Sequence, residues 1–401
     1  MYFSEKIIFE SGNESNFRIP SLISTSSGTL LAFCNDRKNT LADHADVTTV
    51  TMARKTVGGE WEQVREISGF GSWAYRIGSA VYDSTSDKAM LFVLHLPVTK
   101  NEFKQYTSDE LDELERRATE AKRLAEPFGV REGWFILSST DGGESWSEYP
   151  MKLSTGDREP YECEQFMLDG ASTHGSAHGI VLRHGEHAGR ILCPARTFTK
   201  EYDTWDGLRE CGYNTAIYSD DNGESWKLSG CVQVATGEGT LIERADGSVL
   251  YNSRAYLKDG KRYLAVSQDG GATFSDAGTD EFLKEETRIG CNASFIRVER
   301  EDIKDTSLLP EGADGITLFC NPRADTRRNM SVCVSFDGGA SWSRAKTVCD
   351  GPCAYSSLVF EPLSQRFHLI YERGRNASEK NPYSAGICAA EFDLEWILTD
   401  K

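Results

Sequence analysis

No apolar run in this 401-residue chain approaches the roughly 18 residues that a membrane-crossing helix needs. The opening residues, Met1 to Lys6, lack a basic start followed by an apolar core, so the sequence predicts neither export nor membrane insertion and points to a cytoplasmic protein. Cysteine pairing is missing too. Eleven cysteines are scattered without a Cys-x-x-Cys motif, and Cys349 and Cys353, the nearest two, have no second pair. That argues against a zinc site and predicts free thiols in a reducing compartment. Positive charge is in deficit: 44 Lys and Arg against 62 Asp and Glu leave a net −18. This argues against a polyanionic partner such as nucleic acid or an acidic membrane surface.

What is present is a repeat. The octapeptide Ser-x-Asp-x-Gly-x-Ser/Thr-Trp/Phe occurs four times, at Ser139 to Trp146, Ser219 to Trp226, Ser267 to Phe274 and Ser335 to Trp342. Each copy follows a run suited to a strand, and its Asp and Gly supply a turn able to reach positive φ. Each copy is thus predicted to be a hairpin turn whose last aromatic folds beneath its own strand pair. The copies start 80, 48 and 68 residues apart, the spacing of a repeated all-β unit with unequal loops, and a propeller fits. They lack the alternating carboxylates of a calcium loop, so their aspartates are read as turn residues. Residues 51 to 61 hold a degenerate copy that keeps Gly58, Gly59 and Trp61. With 36 Gly, 11 Pro and no composition break, residues 1–401 are expected to form one domain. Ring closure then requires Phe3 to Phe9 to pair near Ile387 to Phe392.

One stretch departs from the β pattern. Thr107 and Glu110 form a capping box, Leu111, Leu114, Ala118, Ala121 and Leu124 recur at helical spacing, and Pro127 ends the run. This predicts an inserted amphipathic helix near 107–126, dispensable for folding. Trp73 and Tyr75 are expected to fill the core. His174 and His178, four apart, invite a metal reading, but glycines follow both and no third ligand is evident, so no metal or other cofactor is expected.

The octapeptide resembles the Asp box of the sialidases, which are six-bladed β-propellers, and further segments extend that resemblance in order from Arg18 to Glu372. Phe17-Arg18-Ile19-Pro20 matches the Arg-Ile-Pro motif, whose arginine is the first of three gripping a substrate carboxylate. Asp43-His44-Ala45-Asp46-Val47 resembles the acid/base loop, with Asp43 25 residues after Arg18. Asp46 is read as a turn residue, and Asp36 and Arg37 occupy the places of rim residues. Glu238 and Arg254, 16 residues apart across an Ala245-Asp246-Gly247 turn, match the glutamate and second arginine, although Gly237 replaces the usual Asn. Gly290 to Ser294 resembles a strand beside the site. Arg327 stands two before Asn329, as the third arginine does, with Arg328 as the alternative. Gly351-Pro352-Cys353-Ala354-Tyr355-Ser356 matches the nucleophile segment, and Tyr371-Glu372 the closing pair whose carboxylate holds Arg18. Tyr202 and Trp205 are placed near an aglycone.

The chemistry suits these residue types. Three permanently charged, planar guanidiniums can hold the carboxylate on the anomeric carbon of a sialic acid by paired hydrogen bonds. A neutral phenol attacks beside that carboxylate where a carboxylate nucleophile would be repelled, and sialidases are the tyrosine exception among retaining glycosidases. Glu238 is then the base for Tyr355, and Asp43 the acid, protonated when substrate arrives with burial raising its pKa. The resemblance implies a retaining exo-α-sialidase acting on sialylated glycans or gangliosides. The alternatives are a hydrolase of a related ulosonic acid, a transglycosylating variant and a non-catalytic glycan-binding propeller. On a chain of net charge −18, an anionic substrate must be met by a local arginine cluster.

Overall fold

The computed structural model describes residues 1–100, 104–154, 172–173, 178–198 and 212–399. His174, Tyr202 and Trp205 lie outside them. Successive antiparallel units follow one another along the chain. The first contains Ser15–Ser24, Leu30–Lys38 and Thr48–Lys55; the next contains Ala74–Asp83, Lys88–Leu96, Gly133–Ser139 and Ser147–Pro150. Further on, Thr236–Glu243, Val249–Ala255, Lys261–Ser267 and Ser275–Lys284 form a four-stranded sheet. The 18-residue strand Arg344–Glu361 serves two units, pairing first with Arg328–Ser335 and then with Arg366–Arg373. The chain ends meet as ring closure requires: Phe3–Glu10 lies antiparallel to Gly386–Phe392, with Phe3 opposite Phe392 and Glu10 opposite Gly386.

The middle strands are covered on both faces; every residue of Val249–Ala255 is buried, including Asn252, Ser253 and Arg254. The core lies between neighbouring units. Met90 and Phe92 from one unit pack with Cys193, Ile217 and Trp226 from the next.

The four octapeptides are turns, and they clamp one unit to the one before it. In the first, Ser139 Oγ accepts from Gly143 N (2.9 Å) and donates to Asp141, whose carboxylate accepts from Ser145 N (3.0 Å). The same bonds recur in the other three copies. Gly143 has φ +84°, and a Cβ there would lie 2.6 Å from Leu31 of the preceding unit. Both the backbone and the neighbour therefore demand glycine. Arginines from the preceding unit complete the clamp: Arg54 Nε donates to Gly142 O and Arg244 Nε to Gly338 O, both at 2.9 Å.

The terminal aromatics follow this logic and correct the expectation that each lies beneath its own strands. Trp146 meets Phe33 edge-on at 5.5 Å and Trp226 meets Phe92 at 4.8 Å, both across the boundary to the preceding unit. Phe274 and Trp342 do pack within their own units, on Tyr251 and on Phe295 and Phe319. Near the degenerate copy, Gly58 takes φ +70° and Trp61 packs on a core cluster with Phe9 and Leu30.

The inserted helix spans Ser108–Ala125, with Thr107 and Glu110 forming the expected reciprocal cap. Its apolar face is narrower than the periodicity implied. Leu114 and Ala125 are buried and Ala121 packs on the cluster around Phe33 and Trp73, whereas Leu111 and Leu124 are exposed. The helix also reaches the Asp43 loop: Arg117 Nη2 lies 3.0 Å from Asp46 Oδ2, and Thr99 Oγ1 donates to Asp46 Oδ1 (3.1 Å) and His44 O (2.8 Å). Asp46, read as a turn residue, is the link between helix and loop. Among the described residues, no helix is long and apolar enough to cross a membrane.

Candidate active site

Arg18 enters the site from an irregular strand. Pairing of Ser15–Ser24 with Leu30–Lys38 is interrupted between Arg18 and Ser21, and Ile19 has φ +65°. A β-branched residue at positive φ costs on the order of 1–3 kcal/mol and persists only where its surroundings hold it. Glu372, fully buried, does the holding. Its Oε1 accepts from Arg18 Nε (2.5 Å) and Ile19 N (2.9 Å), while its Oε2 accepts from Tyr355 N (3.1 Å).

Tyr355 sits where the pairing of Arg344–Glu361 shifts register, between Cys353 and Ser356, and such a bulge re-aims a side chain. Its phenol donates to Glu238 Oε1 (2.7 Å) and accepts from Arg254 Nη1 (2.8 Å). Glu238 and Arg254 are directly opposed in adjacent strands and form an ion pair; the turn between them has Gly247 at φ +81°. Burial, opposed by Arg254 and Arg327 and reinforced by Glu238, pushes the Tyr355 phenol well above its ordinary pKa. At rest it is a neutral phenol with a carboxylate on its proton.

Arg327 is the arginine turned to the site, its guanidinium carbon 5.4 Å from the Tyr355 ring centroid. It donates to Gly290 O (3.0 Å) and Tyr383 Oη (2.6 Å), while its buried Nε–H has no partner among the described residues. Arg328 points elsewhere, to Ala377 O and Glu379 O. The guanidinium carbons of Arg18 and Arg254 lie 5.8 and 6.0 Å from the same Tyr355 ring. The three arginines and the phenol thus converge.

Asp43 lies at the edge of this group. Arg37 Nη1 is 2.7 Å and Arg18 Nη1 3.9 Å from Asp43 Oδ1, and Arg76 Nη2 donates to its backbone carbonyl (2.8 Å). The expectation of a raised pKa is corrected here. Desolvation pulls upward, but Arg37, Arg18 and Arg76 outweigh it and hold the carboxyl well below the usual carboxylate range. Desolvation is the largest single influence, but the arginines act together against it and decide the balance. Without a ligand, Asp43 is ionised.

Asp36 is also corrected. Side chains alternate along a strand, so with Arg37 turned to Asp43, Asp36 faces the other way. There, buried, it accepts from Ser15 Oγ (2.8 Å) and Asn16 N (3.2 Å) and pairs with Lys38. Its partners make it a staple of the first hairpin. Trp73 and Tyr75 are core residues as expected, and His178 is buried, its pKa lowered to about 4 by burial. Gly290 to Ala293 is not strand; the strand begins at Ser294.

Several residues of the site escaped the sequence reading. Beneath the arginines, fully buried Arg262 donates to Glu285 Oε1 (2.7 Å), Cys291 O (2.9 Å) and Asn252 Oδ1 (2.6 Å). Glu285 Oε1 also accepts from Cys291 N (2.7 Å). This braces the segment whose Ile289 and Gly290 carbonyls receive Arg254 and Arg327. Arg76 and Tyr383 complete the group. Tyr383 follows a proline in a turn-rich stretch, an aromatic in a loop without periodicity, and only that oddity marks it in the sequence.

Antiparallel β units in succession, with arginines gathered around a carboxylate-bonded phenol, define a β-propeller with a cationic cluster at Tyr355. The chain belongs to the BNR repeat-like domain family, which it matches over residues 28–368. It is similar to the sialidase of Micromonospora viridifaciens, with 29% identity over 98% of this chain and 54% of that protein. Against the sialidase of Bacteroides fragilis the identity is 25%, over 82% of this chain and 55% of the relative. The chain therefore spans about half the length of these two relatives. In fold it resembles the intramolecular trans-sialidase of Ruminococcus gnavus, with a TM-score of 0.72 and 18% identity over 98% of both chains.

Proposed function

We propose that the chain is one six-bladed propeller acting as a retaining exo-α-sialidase on terminal α-linked sialic acids of glycans. The observation that carries this reading is the Tyr355 phenol held between the Glu238 carboxylate and Arg254, with Arg18 and Arg327 beside the same ring. Arg18, Arg37, Arg76, Arg254 and Arg327, gathered on a chain of net charge −18, supply the local field an anionic substrate needs.

In this mechanism Arg18, Arg254 and Arg327 grip the substrate carboxylate and set the anomeric carbon over the phenol. Tyr355 Oη bonds to that carbon as its proton passes to Glu238, and the bond to the leaving oxygen breaks as Asp43 donates a proton to it. Water, deprotonated by Asp43, then attacks the anomeric carbon and displaces Tyr355, which recovers its proton from Glu238. The second inversion restores the configuration. Asp43 begins ionised, so it must first gain a proton. A substrate carboxylate arriving at Arg18 offsets part of the positive charge that holds Asp43 down, which couples binding to arming of the acid.

Release of the fluorophore from a fluorogenic α-sialoside tests the reading. Absence of turnover across a panel of sialosides and deaminated analogues would remove it, and binding without turnover would favour a glycan-binding propeller.

A further inference from the structure

Tyr383 lies between the first and third arginines and touches both. Its ring centroid is 3.7 Å from the guanidinium carbon of Arg18, a stacked cation–π contact, and its hydroxyl accepts from Arg327 Nη1 at 2.6 Å. A guanidinium stacked on an aromatic face keeps its N–H edge free for ligand oxygens.

The loop that carries Tyr383, residues 374–385, is knit together. Glu379 Oε2 accepts from Arg375 N (2.9 Å) and Ser384 Oγ (2.6 Å), Asn381 Oδ1 accepts from Tyr383 N (3.0 Å), and Gly386 N donates to Tyr383 O (3.1 Å). Arg328 holds the same loop through Ala377 O at 2.6 Å. Neighbouring arginines thus divide the work: Arg328 secures the loop and Arg327 takes up its phenol.

We propose that Tyr383 is a positioning residue that locks Arg18 and Arg327 at a fixed separation, so that one planar carboxylate is met by both. Glu372 fixes Arg18 through its Nε and Gly290 O fixes Arg327 through Nη2, but neither contact sets the distance between the two like charges, which Tyr383 does by touching both. The ring screens one guanidinium while the phenol oxygen anchors the other. The role rests on the carboxylate-binding reading of the site given above.

The test measures dissociation constants for an unsaturated sialic acid analogue and its methyl ester, with kcat and KM on a fluorogenic sialoside, for wild type, Tyr383→Phe and Tyr383→Ala. Tyr383→Phe keeps the ring on Arg18 and leaves folding intact. It should weaken the free acid roughly tenfold, the value of one hydrogen bond to a charged group. Tyr383→Ala should weaken it further, on the order of a hundredfold, because the stack goes too. The ester, without a full charge for the arginines, should change less than about twofold, and the loss of activity should fall on KM rather than kcat. Tighter binding of the acid by Tyr383→Ala would make Tyr383 a plug and overturn the proposal. So would equal losses for acid and ester, or active wild type with both variants unchanged. A wild type that neither binds the acid nor cleaves any sialoside would remove the functional reading itself.

Discussion

Arg18 and Glu372 are 354 residues apart in the chain and 2.5 Å apart in the site, buried together, the arginine with its strained neighbour Ile19 on the same carboxylate oxygen. Because the other oxygen of Glu372 accepts from the Tyr355 backbone, one side chain sets both the first arginine and the phenol.

Glu372→Gln should therefore be costly out of proportion to its size. The amide cannot present two acceptors, and it leaves the Arg18 charge buried without its partner. Breaking such a pair costs about 3–5 kcal/mol. Chemical denaturation should register that loss, with turnover falling even in protein that remains folded.

Arg37 lies 2.7 Å from Asp43 and takes the largest part in holding it ionised. Arg37→Gln should let the Asp43 pKa rise toward its ordinary value. If Asp43 is the acid, the high-pH limb of kcat/KM on a substrate with a poor leaving group should move to higher pH. An aryl sialoside that departs without a proton serves as control. A limb that stays in place would separate Asp43 from the titration.

Ala121 and Ala125 of the inserted helix pack on the core cluster of the ring and Leu114 is buried, which favours a stabilising role over the dispensable one expected from the sequence. Leu114→Ala should destabilise the protein by about 2 kcal/mol. Replacing the whole helix with a Gly/Ser loop should lower the unfolding midpoint further. The exposed Leu124→Ala should be close to neutral.

Stability should fall with acid through His368. It is buried, and burial, with Lys55 and Arg366 adding to it and Glu361 opposing, lowers its pKa to about 3; Glu391 lies 3.8 Å from Nδ1. The unfolded residue titrates near about 6.5, so below that pH the unfolded chain binds the extra proton and is favoured. The contribution is complete above about pH 6.5 and lost progressively toward pH 3. By pH 4.5 roughly 3 kcal/mol of it is gone. His368→Gln should flatten that slope in urea midpoints measured between pH 7 and 4.5.

The site was legible chiefly through resemblance to known motifs, because Arg18 and Tyr355 stand at strand irregularities; strand geometry accounts for only part of it. A hairpin turn midway between Glu238 and Arg254 places them opposite each other; Arg327 and Arg328 do point apart, although the strand begins only at Arg328. Alternation along a strand, applied to Asp36 and Arg37, would have kept Asp36 out of the site. Tyr383 and the Arg262–Glu285 brace lie in or against loops, where no period says which way a side chain turns. The ionisation of Asp43 was hidden for a different reason. It depends on Arg18, Arg37 and Arg76, brought together only by the closed fold.

The covalent mechanism stands or falls on Tyr355. Tyr355→Phe removes the oxygen between Glu238 and Arg254 but leaves Arg18, Arg254 and Arg327 in place, so turnover should be abolished while a sialic acid analogue still binds. Arg254→Ala and Arg327→Ala should lose binding and turnover together, because each removes a charge-assisted contact made in ground and transition states alike. Asp43→Asn should damage substrates with poor leaving groups far more than activated aryl sialosides. Proton NMR of the first-formed product should show the retained anomer, since two displacements at one carbon restore its configuration. An inverted first product, or near-wild-type turnover by Tyr355→Phe, would rule out attack by the phenol and leave water, activated by Glu238 or Asp43, as the direct nucleophile.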